Sequence, residues 1–258
     1  SFFDRDDEER YEIRHIFLKT LRDSDCHILD INTQRLSRYL LLMVSRYQAG
    51  CPISLTQNQR KYIRRFREYS VAKDVIEKCQ RFSGFDVSED EILAFALLLI
   101  FWADIPWDCD LSQNYFELHD EAQDFITLFC KSIKKDYNLD ITTIPGWSQI
   151  LCAGIIPMLV QKDFNASFHS VRSLHFEDAR IHDCPLAAKF AHNLARLFEE
   201  RYHCQLSLYN LITFAGHLNV LLLMISYSFT PVRAIVSNGG GYLSSGIFKR
   251  IIESRFGS

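Results

Sequence analysis

Apolar residues recur at helical spacing along most of this chain. In DDEERYEIRHIFLKTLRD, Ile13, Ile16, Phe17 and Leu21 share one stripe behind an acidic start, which predicts a helix with a favourable charge order for its dipole. A second helix is predicted from about Asn32 to Ala49, stopped by Gly50-Cys51-Pro52. A third begins at Thr56, and a fourth runs from about Ser70 to Ser83-Gly84. Ser88, followed three residues later by Glu91, has the form of a capping box and sets a fifth helix at about 88–104. That helix is apolar nearly all round, so it should be central and buried. DIPWDCD, at 104–110, breaks the pattern.

The order then starts again. YFELHDEAQDFITLFCKSIKKDY predicts a long amphipathic helix at 115–137, and WSQILCAGIIPMLVQKDF a helix kinked at Pro157. A polar stretch occupies 165–183, followed by helices at 185–202 and 207–226, the last capped by Ser207. Two halves, about 6–110 and 112–227, thus repeat one plan: a long helix with an acidic start, and a very apolar helix to close. The tail differs in kind. VRAIVS reads as a strand, NGGG as a loop and SSGIFKRIIESRF as a helix, too little to bury a core of its own. The expected architecture is all-α, two consecutive helical bundles with a short β-turn-α tail.

Composition narrows the function classes. With 258 residues, 48% hydrophobic and 24% charged, the chain has the make-up of a globular protein with a sizeable core. A net charge of −3 supplies no basic stripe for nucleic acid. The densest basic run, Arg60 to Arg67, carries apolar residues at helical spacing and reads as the solvated face of one amphipathic helix. Eight scattered cysteines without a C-x-x-C pair suit reduced, buried thiols in the cytoplasm. The longest apolar runs fall short of the roughly 20 residues that span a bilayer. The start, SFFDRDDEER, lacks an initiator Met and suggests a piece of a longer chain.

The two closing helices carry a resemblance. EILAFALL and NLITFAGH are similar to the E-I-x-x-x-A-x-H pattern of the PTS regulation domains, or PRDs, of bacterial antiterminators and transcription activators. SRYLLLMVSRYQAG and EYSVAKDVIEK resemble the rest of a first such domain, and IIPMLVQKDF and CPLAAKFAHNLARLFEERY the rest of a second. RAIVSNGGGYLSSGIFKRIIESRF resembles the opening of an enzyme-IIB-like domain. The resemblance implies PRD-like domains at 1–110 and 111–227, with the start of an enzyme-IIB-like unit at 228–258.

It also implies a function. Such domains carry histidines that accept a phosphoryl group from the phosphocarrier HPr or an enzyme II, and the modification shifts homodimer packing. The output passes to nucleic acid through a DNA-binding module outside this stretch, with no membrane insertion and no catalysis. Of the four expected acceptor positions, three fall near Tyr39, Leu98 and Gly154, and only His217 keeps a histidine. Where an enzyme-IIB-like domain carries a phosphorylatable Cys, this chain has Ser237-Asn238.

His217 admits two readings. It is either a phosphoryl acceptor or a core histidine held by a backbone carbonyl. The remaining histidines carry no catalytic logic. His169, His175 and His182 lie in the polar stretch, and a zinc site from His175, His182 and Cys184 matches no tight ligand spacing. His203 ends a helix, where terminal carbonyls await a partner. SNGGGYLSSG lacks the G-K-[ST] ending of a phosphate loop. The chain is therefore expected to be a regulatory module, not an enzyme, with no cofactor or metal. The rival is a degenerate helical scaffold that binds a partner without being phosphorylated.

Overall fold

Helices follow the apolar stripes almost one for one. In a computed structural model, the structure describes residues 2–24, 26–28, 30–84, 86–102, 105, 111, 115–164 and 184–226. These form an all-α fold, with no strand among the described residues. The chain divides into two compact units, Ser1–Asp104 and Ile105–Ser258. The first contains α1 (Phe2–Asp23), α2 (Asp30–Gln48), α3 (Gln57–Ile63), α4 (Arg67–Ser83) and α5 (Glu89–Phe101). The second contains α6 (Phe116–Tyr137), a 3-10 turn (Ile141–Thr143), α7 (Trp147–Asp163), α8 (Pro185–Tyr202) and α9 (Leu208–Ser226). The tail at 228–258, with Ser237-Asn238, lies outside the described residues, as does the polar stretch 165–183.

In the first unit, α5 packs on α4, α3 and α2, and α1 lies against α4 and α2. Leu93, Ala94, Phe95, Ala96, Leu99 and Ile100 of α5 are buried, as its unbroken apolar run requires. Phe95 is the hub of this core. It meets Phe17 of α1 edge-on at 5.9 Å and stacks on Tyr39 of α2 at 6.1 Å, with the rings 9° apart.

The polar end of α5 departs from expectation. Ser88 is the N-cap but makes no side-chain cap bond, so the capping box does not form. Its would-be partner, Glu91, is fully buried and is drawn into a tertiary pair. Its carboxylate accepts from Arg46 of α2 and, at 2.8 Å, from the backbone N–H of Ile53. The neighbouring acids are taken in turn. Asp90 accepts from Arg60 at 2.6 and 2.7 Å and from the Leu55 N–H at 3.1 Å. Glu89 accepts from Arg64 at 3.0 Å and from the Tyr69 hydroxyl at 2.9 Å. Charge-assisted bonds to guanidinium, bidentate at Asp90 and joined at Glu91 by the Ile53 N–H, are stronger than a capping bond between neutral groups, so the acids of this turn are drawn to tertiary partners.

The basic run is corrected by the same contacts. Arg60 and Arg64 are not simply solvated, because they face the acids of α5. Nor is the run one helix: α3 ends at Ile63, and Phe66 adopts an extended conformation before α4 to bury its ring. A capping box does form, at Thr56 and Gln59, where no tertiary partner competes for the side chains.

In the second unit, α9 packs on α8 and α7, and α6 on α7 and α8. Phe125, Phe129, Phe190, Phe198 and Phe214 are fully buried. Phe129 of α6 meets Phe214 of α9 edge-on at 5.7 Å, as Phe17 meets Phe95 in the first unit. Ser207 accepts from the Asn210 N–H at 3.3 Å, so here the expected cap forms. Pro157 sits inside α7, and the helix continues past it to Asp163.

Both closing helices are tied at the same place. Asn210 is buried and donates to Gln161 of α7 at 3.0 Å, where Glu91 takes Arg46 of α2. Each bond joins the third residue after the capping serine to the last turns of the unit's second helix. One tie is ionic and the other is between neutral amides.

Removing Glu91 strands a half-buried guanidinium and the Ile53 N–H. Glu91→Ala should therefore destabilise the first unit by roughly 2 to 3 kcal/mol. Urea unfolding and hydrogen exchange in α5 would measure it, and a change within error would mean that the pair is dispensable. Acid should act on the same end. Arg64 holds the Glu89 carboxyl, and Arg60 the Asp90 carboxyl, below the usual range. Their contribution is present above the unfolded carboxyl value of about 4 and lost as pH falls through the folded one. Asp90→Asn should flatten that acid limb.

Candidate functional site

His217 lies on α9 one turn beyond Thr213, with 8% of its surface exposed. Its Nδ1 is 2.9 Å from the Thr213 carbonyl oxygen. A carbonyl only accepts, so Nδ1 carries the proton and donates. That fixes the tautomer and leaves Nε2 with the lone pair. Burial pushes the imidazole below its ordinary 6.5, partly offset by the bond to Thr213, so the ring is held neutral. A neutral imidazole with one nitrogen tied and the other basic is a nucleophile in form.

Gly154 of α7 faces this ring. A Cβ there would sit 2.9 Å from Cδ2 of Phe214 and 3.3 Å from Nδ1 of His217. A glycine inside a helix costs roughly 1 kcal/mol relative to alanine, and close approach of α9 is what requires it here. Two positions that the sequence paired only by resemblance are thus in contact. They also keep the register of the tie between helices. Gly154 precedes Gln161 by about two helical turns, as Tyr39 precedes Arg46, and His217 follows Asn210 as Leu98 follows Glu91.

The first unit has other chemistry at these positions. Tyr39 stacks on Phe95, and Arg46 lies 3.4 Å from its hydroxyl and 5.7 Å from its ring centre. Burial raises the phenol above its ordinary value, so it stays protonated. Leu98 is half-buried and apolar. Neither side chain offers a phosphoryl-accepting nitrogen.

The other described histidines do not gather around His217. His192 donates from Nδ1 to Ala188 O at 2.8 Å, within its own helix. His119 lies 3.5 Å from Asp120. His203 ends α8 in the left-handed region, φ 53°, and its backbone N–H, not its ring, reaches Glu199 O. Among the described residues no group of three His, Cys, Asp or Glu side chains is placed to hold a metal ion. His169, His175 and His182 lie outside those residues, so the zinc arrangement with Cys184 does too. Burial pushes the Cys130 and Cys152 thiols up to about 12 and about 11, which keeps both as unreactive thiols. No helix among the described residues is long and apolar enough to cross a membrane.

The burial of His217 and its bond to a backbone carbonyl are what the core-histidine reading expected; which carbonyl it would be, and the close approach of Gly154, were not legible. Nothing in NLITFAGH says that Thr213 will take Nδ1, and nothing in CAGII says that Gly154 will lie beneath the ring.

Residues 15–102, within the first unit, match the family model of the PRD domain. No curated protein and no solved structure matches the chain.

The neutral ring makes the second unit sensitive to acid. As pH falls below 6.5, the unfolded chain takes up a proton that the folded ring resists, so stability drops until pH reaches the lowered folded value. His217→Gln should remove this limb. Urea midpoints at about pH 7.5 and about pH 5.5 would measure the difference, on either side of the ordinary imidazole value. An equal pH dependence in both proteins would mean that His217 titrates normally.

Proposed function

We propose that this chain is the sensing module of a bacterial transcription regulator, of the antiterminator or activator kind, that reads the state of the sugar phosphotransferase system through a phosphoryl group on His217. In this reading, residues 111–227 are a second PRD, and the donor is HPr or an enzyme II in the cytoplasm. The observation that carries the reading is a neutral imidazole of fixed tautomer, in a segment that resembles the family's acceptor motif and in a chain whose residues 15–102 match the PRD domain.

The chemistry balances without a further base. The Nε2 lone pair attacks the phosphorus of a donor phosphohistidine, forming one P–N bond as the donor's P–N bond breaks. The donor ring, protonated on its other nitrogen, leaves as a neutral imidazole with its lone pair recovered, and the acceptor's own proton stays on Nδ1, still donated to the Thr213 carbonyl. The protein's task is to position the nucleophile, since phosphoryl transfer needs little else.

Burial turns this step into a signal. A phosphoryl group brings about two negative charges and three strong acceptors to a ring that lies in an apolar core. Such charge is costly inside a low-dielectric core. The modified ring would have to leave its place between Phe214 and Gly154, and α9 would have to repack on α7 and α8. A shift in the closing helix alters the surface offered to a second copy, which is the route to changed homodimer packing. The same burial slows the reaction, because the donor meets only the fraction of molecules in which α9 has opened.

A second reading has its own support. Tyr39, Leu98 and Gly154 stand where acceptors are expected, and a scaffold that binds a partner without phosphorylation would look the same there.

One experiment separates the two. The chain is incubated with enzyme I, HPr and phosphoenolpyruvate, with and without enzyme II, and acid-labile phosphate is mapped by mass spectrometry. One phosphate on His217, absent in folded His217→Ala and accompanied by a change in sedimentation, is the expected result. No label on a folded protein with every donor supplied would sink the phosphorylation reading and leave the scaffold.

A further inference from the structure

The two units fill the space beside their central phenylalanine differently. In the first, the ring stacked on Phe95 is Tyr39, delivered from the neighbouring helix α2. In the second, the corresponding position on α7 is Gly154, which brings no ring. The group stacked on Phe214 is then His217 itself, with centroids 6.5 Å apart and planes 24° apart. Gly154 approaches both rings so closely that even a methyl group would meet Phe214 at 2.9 Å and His217 Nδ1 at 3.3 Å.

The atom at 3.3 Å is the one that donates to Thr213. From these contacts we infer that Gly154 is a positioning residue for His217: by leaving the space beside Nδ1 empty, it lets the imidazole lie on Phe214 with Nδ1–H on the Thr213 carbonyl, and so presents Nε2 as the nucleophile. The backbone gives no other reason for a glycine, because Gly154 lies in the middle of α7 and is not among the glycines of positive φ. Phe214 is fully buried and cannot swing aside cheaply, so a side chain at 154 also presses on the imidazole at Nδ1 and strains its bond to Thr213. Once off Thr213, the ring loses the bond that selects its tautomer.

The inference deepens the phosphoryl-acceptor reading, but its test does not depend on that reading. Nitrogen-15 NMR of histidine-labelled protein reports which ring nitrogen bears the proton. The wild-type chain should show His217, assigned by its absence in His217→Gln, as a single Nδ1–H tautomer. Gly154→Ala should lose that signature and show the Nε2–H form or an average of the two. A core truncation on the same helix, Ile155→Val, should keep it, although it too lowers stability. Where phosphoryl transfer is measurable, Gly154→Ala should slow it about tenfold or more, a change in barrier that a mispositioned nucleophile readily accounts for.

If Gly154→Ala does not fold, Gly154→Ala combined with Phe214→Leu removes the ring that the new methyl strikes. The 3.3 Å contact with Nδ1 remains, and the tautomer should still be lost. Retention of the Nδ1–H tautomer in either folded variant overturns the inference, as does a wild-type ring protonated on Nε2. A wild-type chain that takes no phosphate, while its variants lose the tautomer, would end the acceptor reading and leave the positioning role of Gly154 standing.

Discussion

A helix that is apolar on every face can slide or turn in its core at little cost unless its polar end is held. Both closing helices of this chain meet that constraint in the same way. The third residue after a capping serine is buried and bonded to the last turns of the unit's second helix. In the first unit this tie is ionic and joins a larger set, in which Arg46, Arg60 and Arg64 meet Glu91, Asp90 and Glu89 in reverse order. In the second it is a single amide pair between Asn210 and Gln161. The tie sets the rotation and register of the helix, and the register decides which residue comes to lie beside Phe95 or Phe214.

That difference in the tie bears on how each unit responds to change. A fully buried carboxylate under a guanidinium resists any motion that would leave either charge without its partner. A neutral amide pair yields at lower cost, because water can replace each of its bonds. The unit with the ionic tie has Tyr39 and Leu98 at the expected acceptor positions, and the unit with the neutral tie has His217. An ionic tie and the lack of a histidine at these positions go together in one unit, and a neutral tie and His217 in the other.

Much of the fold was legible because helical periodicity is a local property. The unbroken apolar run from Ile92 to Phe101 required burial, and Ser207 ahead of LYNLITF gave its cap correctly. The failures share one cause. Ser88 and Glu91 have the form of a capping box, yet Glu91 is claimed by Arg46, which lies far away in sequence. Arg60 and Arg64 read as a solvated face until α5 brings its acids against them. In each case a long-range ion pair overrode a local preference worth about 1 kcal/mol.

The same division holds at the candidate site. Residue types alone determined that the chain would be helical, and it was a family resemblance, not periodicity, that singled out His217 to be proposed as a phosphoryl acceptor. Neither could determine its state. Tertiary packing decided that the ring is neutral, that Nδ1 and not Nε2 bears the proton, and that a glycine two helices away makes room for it. Periodicity is written in neighbouring residues, whereas a tautomer is set by whichever carbonyl, ring and vacancy the fold brings to within a few ångströms.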